Sequence, residues 1–174
     1  DQSVVTWRVT GKNNYIGIIP LAENMISSKA YKVGDIFKSY SGKTVEIGDT
    51  DKEGRLLLAD SLAYACDKYK PDLLLDVATL TGWASMLHCD ISFNYFTLNE
   101  KIADKMNMIQ NKTGEKSIRL PPWIEYRKFT KSKVADLTTY GSKDCSRNEG
   151  FMATMFLSNF VSDKYLKNWI HIDI

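Results

Sequence analysis

Two histidines and three cysteines are all that 174 residues offer of the softer metal- and redox-active side chains, and Cys66, Cys89 and Cys145 form no C-x-x-C pair. An odd, widely spaced set does not build a disulfide framework; it fits reduced thiols in a cytosolic compartment. Long apolar runs are missing as well. Leu56-Leu57-Leu58 and Leu73-Leu74-Leu75 fall far short of the roughly 18 residues of a membrane span. Asp1-Gln2-Ser3 leads into mixed polar sequence rather than the apolar stretch of a signal peptide, so the expectation is a cytoplasmic protein without a membrane partner. Charge of one sign is scarce: 23 Lys+Arg against 21 Asp+Glu leave +2, and the basic residues are scattered. That gives no footprint for nucleic acid. No repeat, linker or low-complexity stretch is present. With 44% hydrophobic and 11% aromatic residues, the composition is that of one globular domain rather than a disordered chain.

Hydrophobic periodicity supplies the organisation. Tyr15-Ile16-Gly17-Ile18-Ile19, ended by Pro20, suits a buried strand. Residues 24–35 are turn-rich, and 40–47 alternate as an extended, hairpin-like stretch. From Leu56 the period changes, with Leu58, Ala59, Leu62, Ala63 and Cys66 on one helical face closed by Pro71. Residues 73–80 are apolar except for Asp76 and Thr79, the pattern of a strand buried on both faces. A charged helix is expected over 100–110, and a break at Pro121-Pro122. Met152, Met155, Phe156 and Phe160 make a further helical face, and 169–174 form a last strand. Strands alternating with helices predict an α/β fold: three layers, α/β/α, around a mostly parallel mixed sheet.

The densest polar cluster is Asp49-Thr50-Asp51-Lys52-Glu53-Gly54-Arg55, where the extended stretch hands over to the helix. On an extended backbone Asp49, Asp51, Glu53 and Arg55 project to one side and Lys52 to the other. Three neighbouring carboxylates repel unless positive charge sits among them; Arg55 neutralises one, a divalent cation two. Oxygen donors suit Mg, Mn or Zn. The same residues also read as a solvated acidic turn favoured by the helix N-terminus, and spacing alone leaves both readings open.

The wording of the cluster adds to this. Thr50-Asp51-Lys52-Glu53-Gly54-Arg55-Leu56, followed by Leu58-Ala59-Asp60 and Tyr64-Ala65, resembles the N-T-D-A-E-G-R-L signature of the leucyl aminopeptidase (cytosol aminopeptidase) family. Ile19-Pro20, Glu23-Asn24-Met25, Ala30-Tyr31, Gly34-Asp35-Ile36 and Ser41-Gly42-Lys43-Thr44-Val45-Glu46 are similar to the family's preceding stretch. Asp76-Val77-Ala78-Thr79-Leu80-Thr81-Gly82, Ala135-Asp136-Leu137, Phe156-Leu157 with Phe160-Val161, and Trp169 with His171-Ile172-Asp173-Ile174 continue it in order.

The resemblance implies a metal-dependent exopeptidase that removes N-terminal residues from peptides, with two divalent ions, Zn or Mn, polarising the scissile carbonyl and generating hydroxide. By position Asp51 would be a metal ligand and Glu53 the carboxylate bridging both ions. Arg55 would hold a bicarbonate that serves as general base, a task suited to a planar guanidinium. Thr79, Leu80 and Gly82 would line the substrate site at a strand's C-terminal end, Leu80 through its backbone carbonyl. The family's other ligands, a lysine and two aspartates, and a second catalytic lysine would lie upstream of Asp1. Residues 1–174 are thus expected to be part of a C-terminal peptidase domain, truncated at both ends, and inactive alone. Homo-hexamers are the family's assembly. Asp49 and Lys52 replace the signature's Asn and Ala, and Trp83 follows Gly82 where a small residue is usual, and would crowd the substrate pocket. These three residues favour a second reading, a degenerate relative kept for structure or assembly. His171 and Asp173, at i and i+2, read either as two ligands or as a packed, hydrogen-bonded strand. A nucleophilic Cys145 would need a positioned histidine; His88-Cys89 reads as incidental.

Overall fold

A computed structural model describes residues 2–7, 13–141 and 148–174. Strands β1 (Gln2–Trp7) and β2 (Tyr15–Pro20) form an antiparallel hairpin. β3 (Ile36–Lys38) and β4 (Thr44–Glu46) form a second, whose turn carries Gly42 at φ 85°. β4 also pairs in parallel with β8 (Leu137–Thr138). The main sheet has the order β5-β9-β6-β7, from β5 (Leu74–Ala78), β9 (Trp169–Asp173), β6 (Ser92–Phe96) and β7 (Lys116–Arg119). β5 runs parallel to β9 and β6 parallel to β7, while β9 and β6 are antiparallel. The sheet is mixed and mostly parallel, as the alternation of elements predicts.

Helices α1 (Glu53–Tyr69) and α4 (Glu149–Ser158) cover one face, on which Leu74, Trp169 and Phe96 join Leu58, Leu62, Met155 and Phe156 in the core. On the other face, Tyr95 lies in the field of Glu100 and Asp104 from α3 (Glu100–Thr113). The three-layer arrangement follows. A short helix, α2 (Trp83–His88), joins β5 to β6.

Where periodicity is local, sequence and structure agree. α1 carries its apolar stripe inward and ends at Lys70, whose left-handed φ of 48° precedes Pro71. α3 runs one turn beyond the expected 110 because Gly114, at φ 79°, closes it. Burial differs in three places. β2 is a strand but not a buried one, with Tyr15, Ile16 and Ile19 all exposed, because only β1 pairs with it. β5 is buried on one face alone. Leu74 and Asp76 point inward, while Leu75 and Val77 are about half exposed (52% and 51%) at the sheet's edge. α4 is buried on every side from Gly150 to Ser158 rather than along one stripe.

Candidate active site

The acidic cluster is not extended. Thr50–Lys52 form a turn of 3-10 helix that runs straight into α1. Asp49 starts it: from an extended backbone its carboxylate accepts the Asp51 N–H at 3.0 Å, an N-cap that nucleates the turn. Alternation therefore fails. Lys52 does not point away from the acidic side chains. Its Nζ bonds Glu149 Oε1 at 2.9 Å and lies 3.6 Å from Asp49 Oδ2, with only 9% of the side chain exposed. Tyr31 closes the turn from outside by donating to the Thr50 carbonyl at 2.6 Å. Partial burial and the charges of Glu53, Asp49 and Asp51 raise its phenol pKa.

Asp51 and Glu53 are exposed, and among the described residues no hydrogen bond or ion pair holds either carboxylate. Arg55 is buried at 3% exposure. Its Nη1 donates to the Thr139 carbonyl at 2.5 Å and Nη2 to the Glu149 carbonyl at 3.5 Å. Burial pushes its pKa down to about 10, against the upward pull of Glu149, Asp49 and Asp173; it is a cation at neutral pH.

The opposite wall is the segment after β5, and Asp173 shapes it. One carboxylate oxygen accepts the backbone N–H of Leu80 (2.8 Å) and Thr81 (3.1 Å), and the other the Thr81 hydroxyl at 2.6 Å. Gly54 lets α1 approach this wall closely: a Cβ there would lie 3.3 Å from Leu80 Cδ1. Asp51, Glu53, Arg55, Thr79, Leu80 and Gly82 all line one open groove of about 1280 Å³, bounded also by β2 and by Lys52 and Glu149. Trp83 is not part of that lining. It packs toward α4, where a Cβ on Gly150 would meet its ring at 3.3 Å.

His171 and Asp173 do not converge as a ligand pair. His171 is fully buried, with Nδ1 2.6 Å from Asp76 Oδ1, and the Trp169 indole donates to Asp76 Oδ2 at 2.6 Å. Cys66 is buried and Cys89 exposed, both as free thiols; Cys145 and the His88 side chain lie outside what the structure describes. Hard, unpartnered oxygens at Asp51 and Glu53 suit a divalent cation, but among the described residues no three His, Cys, Asp or Glu side chains converge to hold one. An ion needs three or more protein ligands, so these residues alone do not complete a metal centre. Sequence reasoning missed Glu149 and the inward turn of Lys52. The first lies 97 residues from its partner, and only the N-cap chemistry of Asp49 signals the second.

The chain matches the cytosol aminopeptidase family, catalytic domain, over residues 4–174. It is 41% identical over 159 residues to a probable cytosol aminopeptidase of Chloroherpeton thalassium, covering 91% of this chain and 30% of that protein. A Legionella pneumophila protein of the same description is 43% identical over 162 residues, covering 92% and 32%. Among solved structures, a mutant of tomato leucine aminopeptidase superposes with a TM-score of 0.80 at 36% identity, over 90% of this chain and 30% of that one. The bottromycin maturation enzyme BotP in complex with Mn gives 0.79 at 36% identity, over 91% and 34%. The chain spans about a third of the length of these relatives. With the family matched across nearly all of its residues, the chain belongs to the cytosol aminopeptidase family.

Proposed function

We propose that the complete protein containing this chain is a metal-dependent aminopeptidase that removes N-terminal residues from peptides, and that residues 1–174 supply one part of its active site. The observation that carries this reading is the groove, where two unpartnered carboxylates, Asp51 and Glu53, share a wall with the Arg55 cation and face the segment of Thr79, Leu80 and Gly82. An exposed acidic pair beside an immobilised guanidinium is what a cation-assisted hydrolase needs on one side of its substrate. Asp51 and Glu53 are proposed as ligands of divalent ions, Zn or Mn, two per site, with the remaining ligands coming from outside the described residues. When bound, such ions polarise a carbonyl and lower the pKa of water.

This chain's own residues hold and orient. The Thr139 and Glu149 carbonyls engage two of the five guanidinium N–H donors of Arg55, leaving donors for an anion; bicarbonate is the candidate. Asp173 fixes the backbone of Leu80 and Thr81, which keeps the strand-end segment in one conformation against a peptide substrate. Cytoplasmic location and a homo-hexamer complete the proposal; no helix among the described residues is long and apolar enough to cross a membrane.

One observation favours the second reading, a relative kept for structure or assembly: among the described residues no three His, Cys, Asp or Glu side chains converge to hold an ion. Hydrolysis of an amino-acid p-nitroanilide by the full-length protein, with Mn and after chelation, separates the two. The aminopeptidase reading expects turnover that chelation removes and Mn restores. A folded full-length protein with no turnover under any metal contradicts it. The isolated 174 residues are expected to be inactive in the same assay.

A further inference from the structure

Lys52 and Arg55 stand three residues apart at the start of α1, and they grip the same two pieces of chain. Arg55 bonds the carbonyls of Thr139 and Glu149. Lys52 bonds the Glu149 carboxylate at 2.9 Å, and its Nζ lies 5.7 Å from the centre of the Tyr140 ring. Thr139 and Tyr140 follow β8; Glu149 opens α4. A lysine with 9% of its side chain exposed, held by a carboxylate and facing an aromatic ring, is a fixed structural cation rather than a solvated one.

The position matters because it is where the chain leaves its family's signature, which has Ala in place of Lys52 and Asn in place of Asp49. The two changes answer each other: Asp49 adds a negative charge, and Lys52 lies 3.6 Å from it. Lys52 also separates the carboxylates by task. Asp49 and Glu149 are the two it pairs with, while Asp51 and Glu53 keep no protein partner among the described residues. Without the ammonium, the Glu149 carboxylate would face Asp49 uncompensated. The Glu149 carbonyl, which Arg55 reaches at 3.5 Å, belongs to the same first turn of α4.

We propose that Lys52 is a positioning residue for Arg55, clasping Glu149 so that the two cations of one turn hold the start of α4 against the end of β8 and fix the guanidinium in the groove wall. The catalytic meaning of the clasp rests on the role proposed for Arg55; the clasp itself does not. Its test is the rate at which phenylglyoxal modifies Arg55 in the full-length protein, followed by peptide mass spectrometry. Lys52→Ala is expected to raise that rate at least tenfold, and Lys52→Arg to return it to within about twofold of wild type. Leu120→Ala, in the core at 4% exposure and away from both β8 and the start of α4, serves as a control for general loosening and is expected to leave the rate near wild type at an equal loss of Tm. If Lys52→Ala does not fold, Glu149→Gln removes the same ion pair and is read the same way. An unchanged rate in these variants, or an equal rise in Leu120→Ala, overturns the proposal. Because labelling needs no turnover, a missing rate change leaves the aminopeptidase reading standing, and an inactive wild type leaves the clasp standing.

Discussion

Asp51 and Glu53 are exposed and have no hydrogen-bond or ion-pair partner among the described residues, so removing either charge touches no packing there. Glu53→Ala in the complete protein is expected to abolish peptide hydrolysis while changing stability by no more than about 0.5 kcal/mol, the range for surface substitutions; kinetics and a denaturation curve on the same sample check it. Equal loss of folding would make the glutamate structural. His171 behaves oppositely, being a buried group whose charge matters to the fold. Burial alone would lower its pKa, but the charge and hydrogen bond of Asp76, with the charge of Asp173, outweigh this and raise it above the ordinary value. The folded state therefore favours the imidazolium. That stabilisation is complete below about pH 6.5, the ordinary histidine value, and is lost as pH rises through the elevated folded value. Denaturation midpoints are expected to fall over that interval, with a slope of up to about 1.4 kcal/mol per pH unit. In His171→Gln this component should vanish; an identical slope in both proteins would contradict the assignment.

At the level of elements, the entry into α1 decides the site, and Asp49 decides the entry. Its carboxylate caps the 3-10 turn, so Asp49→Ala should cost about 1 kcal/mol in urea denaturation, the usual worth of an N-cap. Asp49→Asn keeps an acceptor at the same place and should cost much less. A cost as large as that of Ala would mean that charge, not capping, holds the turn. The same turn shows how far sequence reasoning reached. Alternation placed Asp51, Glu53 and Arg55 near one another, and they do share a groove, but it placed Lys52 on the wrong side because a single capping bond converts strand geometry into helix geometry. The strands of the main sheet and the stripe of α1 were legible because their periods are local. The exposed outer face of β5 was not, since an apolar run reads alike whether or not a layer covers Leu75 and Val77. Nor could spacing reveal the pairing of Lys52 with Glu149, which depends on β8 and α4 meeting α1 across about 90 residues of chain.

Over the whole molecule, the groove is bounded by β2, by α1 and by the end of β5, with the three-layer core behind it as a rigid support. The proposed chemistry lies on two walls: the α1 entry with its carboxylates and cations, and the strand-end segment pinned by Asp173 from the neighbouring strand β9. The match to the cytosol aminopeptidase family runs through both walls, and the chain's share of about 30% of its relatives' length makes the complete protein the proper object of experiment. The most direct test is its content of Mn or Zn after equilibration with the ion and removal of excess, measured by elemental analysis beside Glu53→Gln. Two ions per chain in the wild type, falling to one or none in a Glu53→Gln protein of unchanged stability, is the predicted result. A folded wild type that retains no ion, or a Glu53→Gln protein that retains as many as wild type, would contradict the placing of Asp51 and Glu53 at a catalytic metal centre.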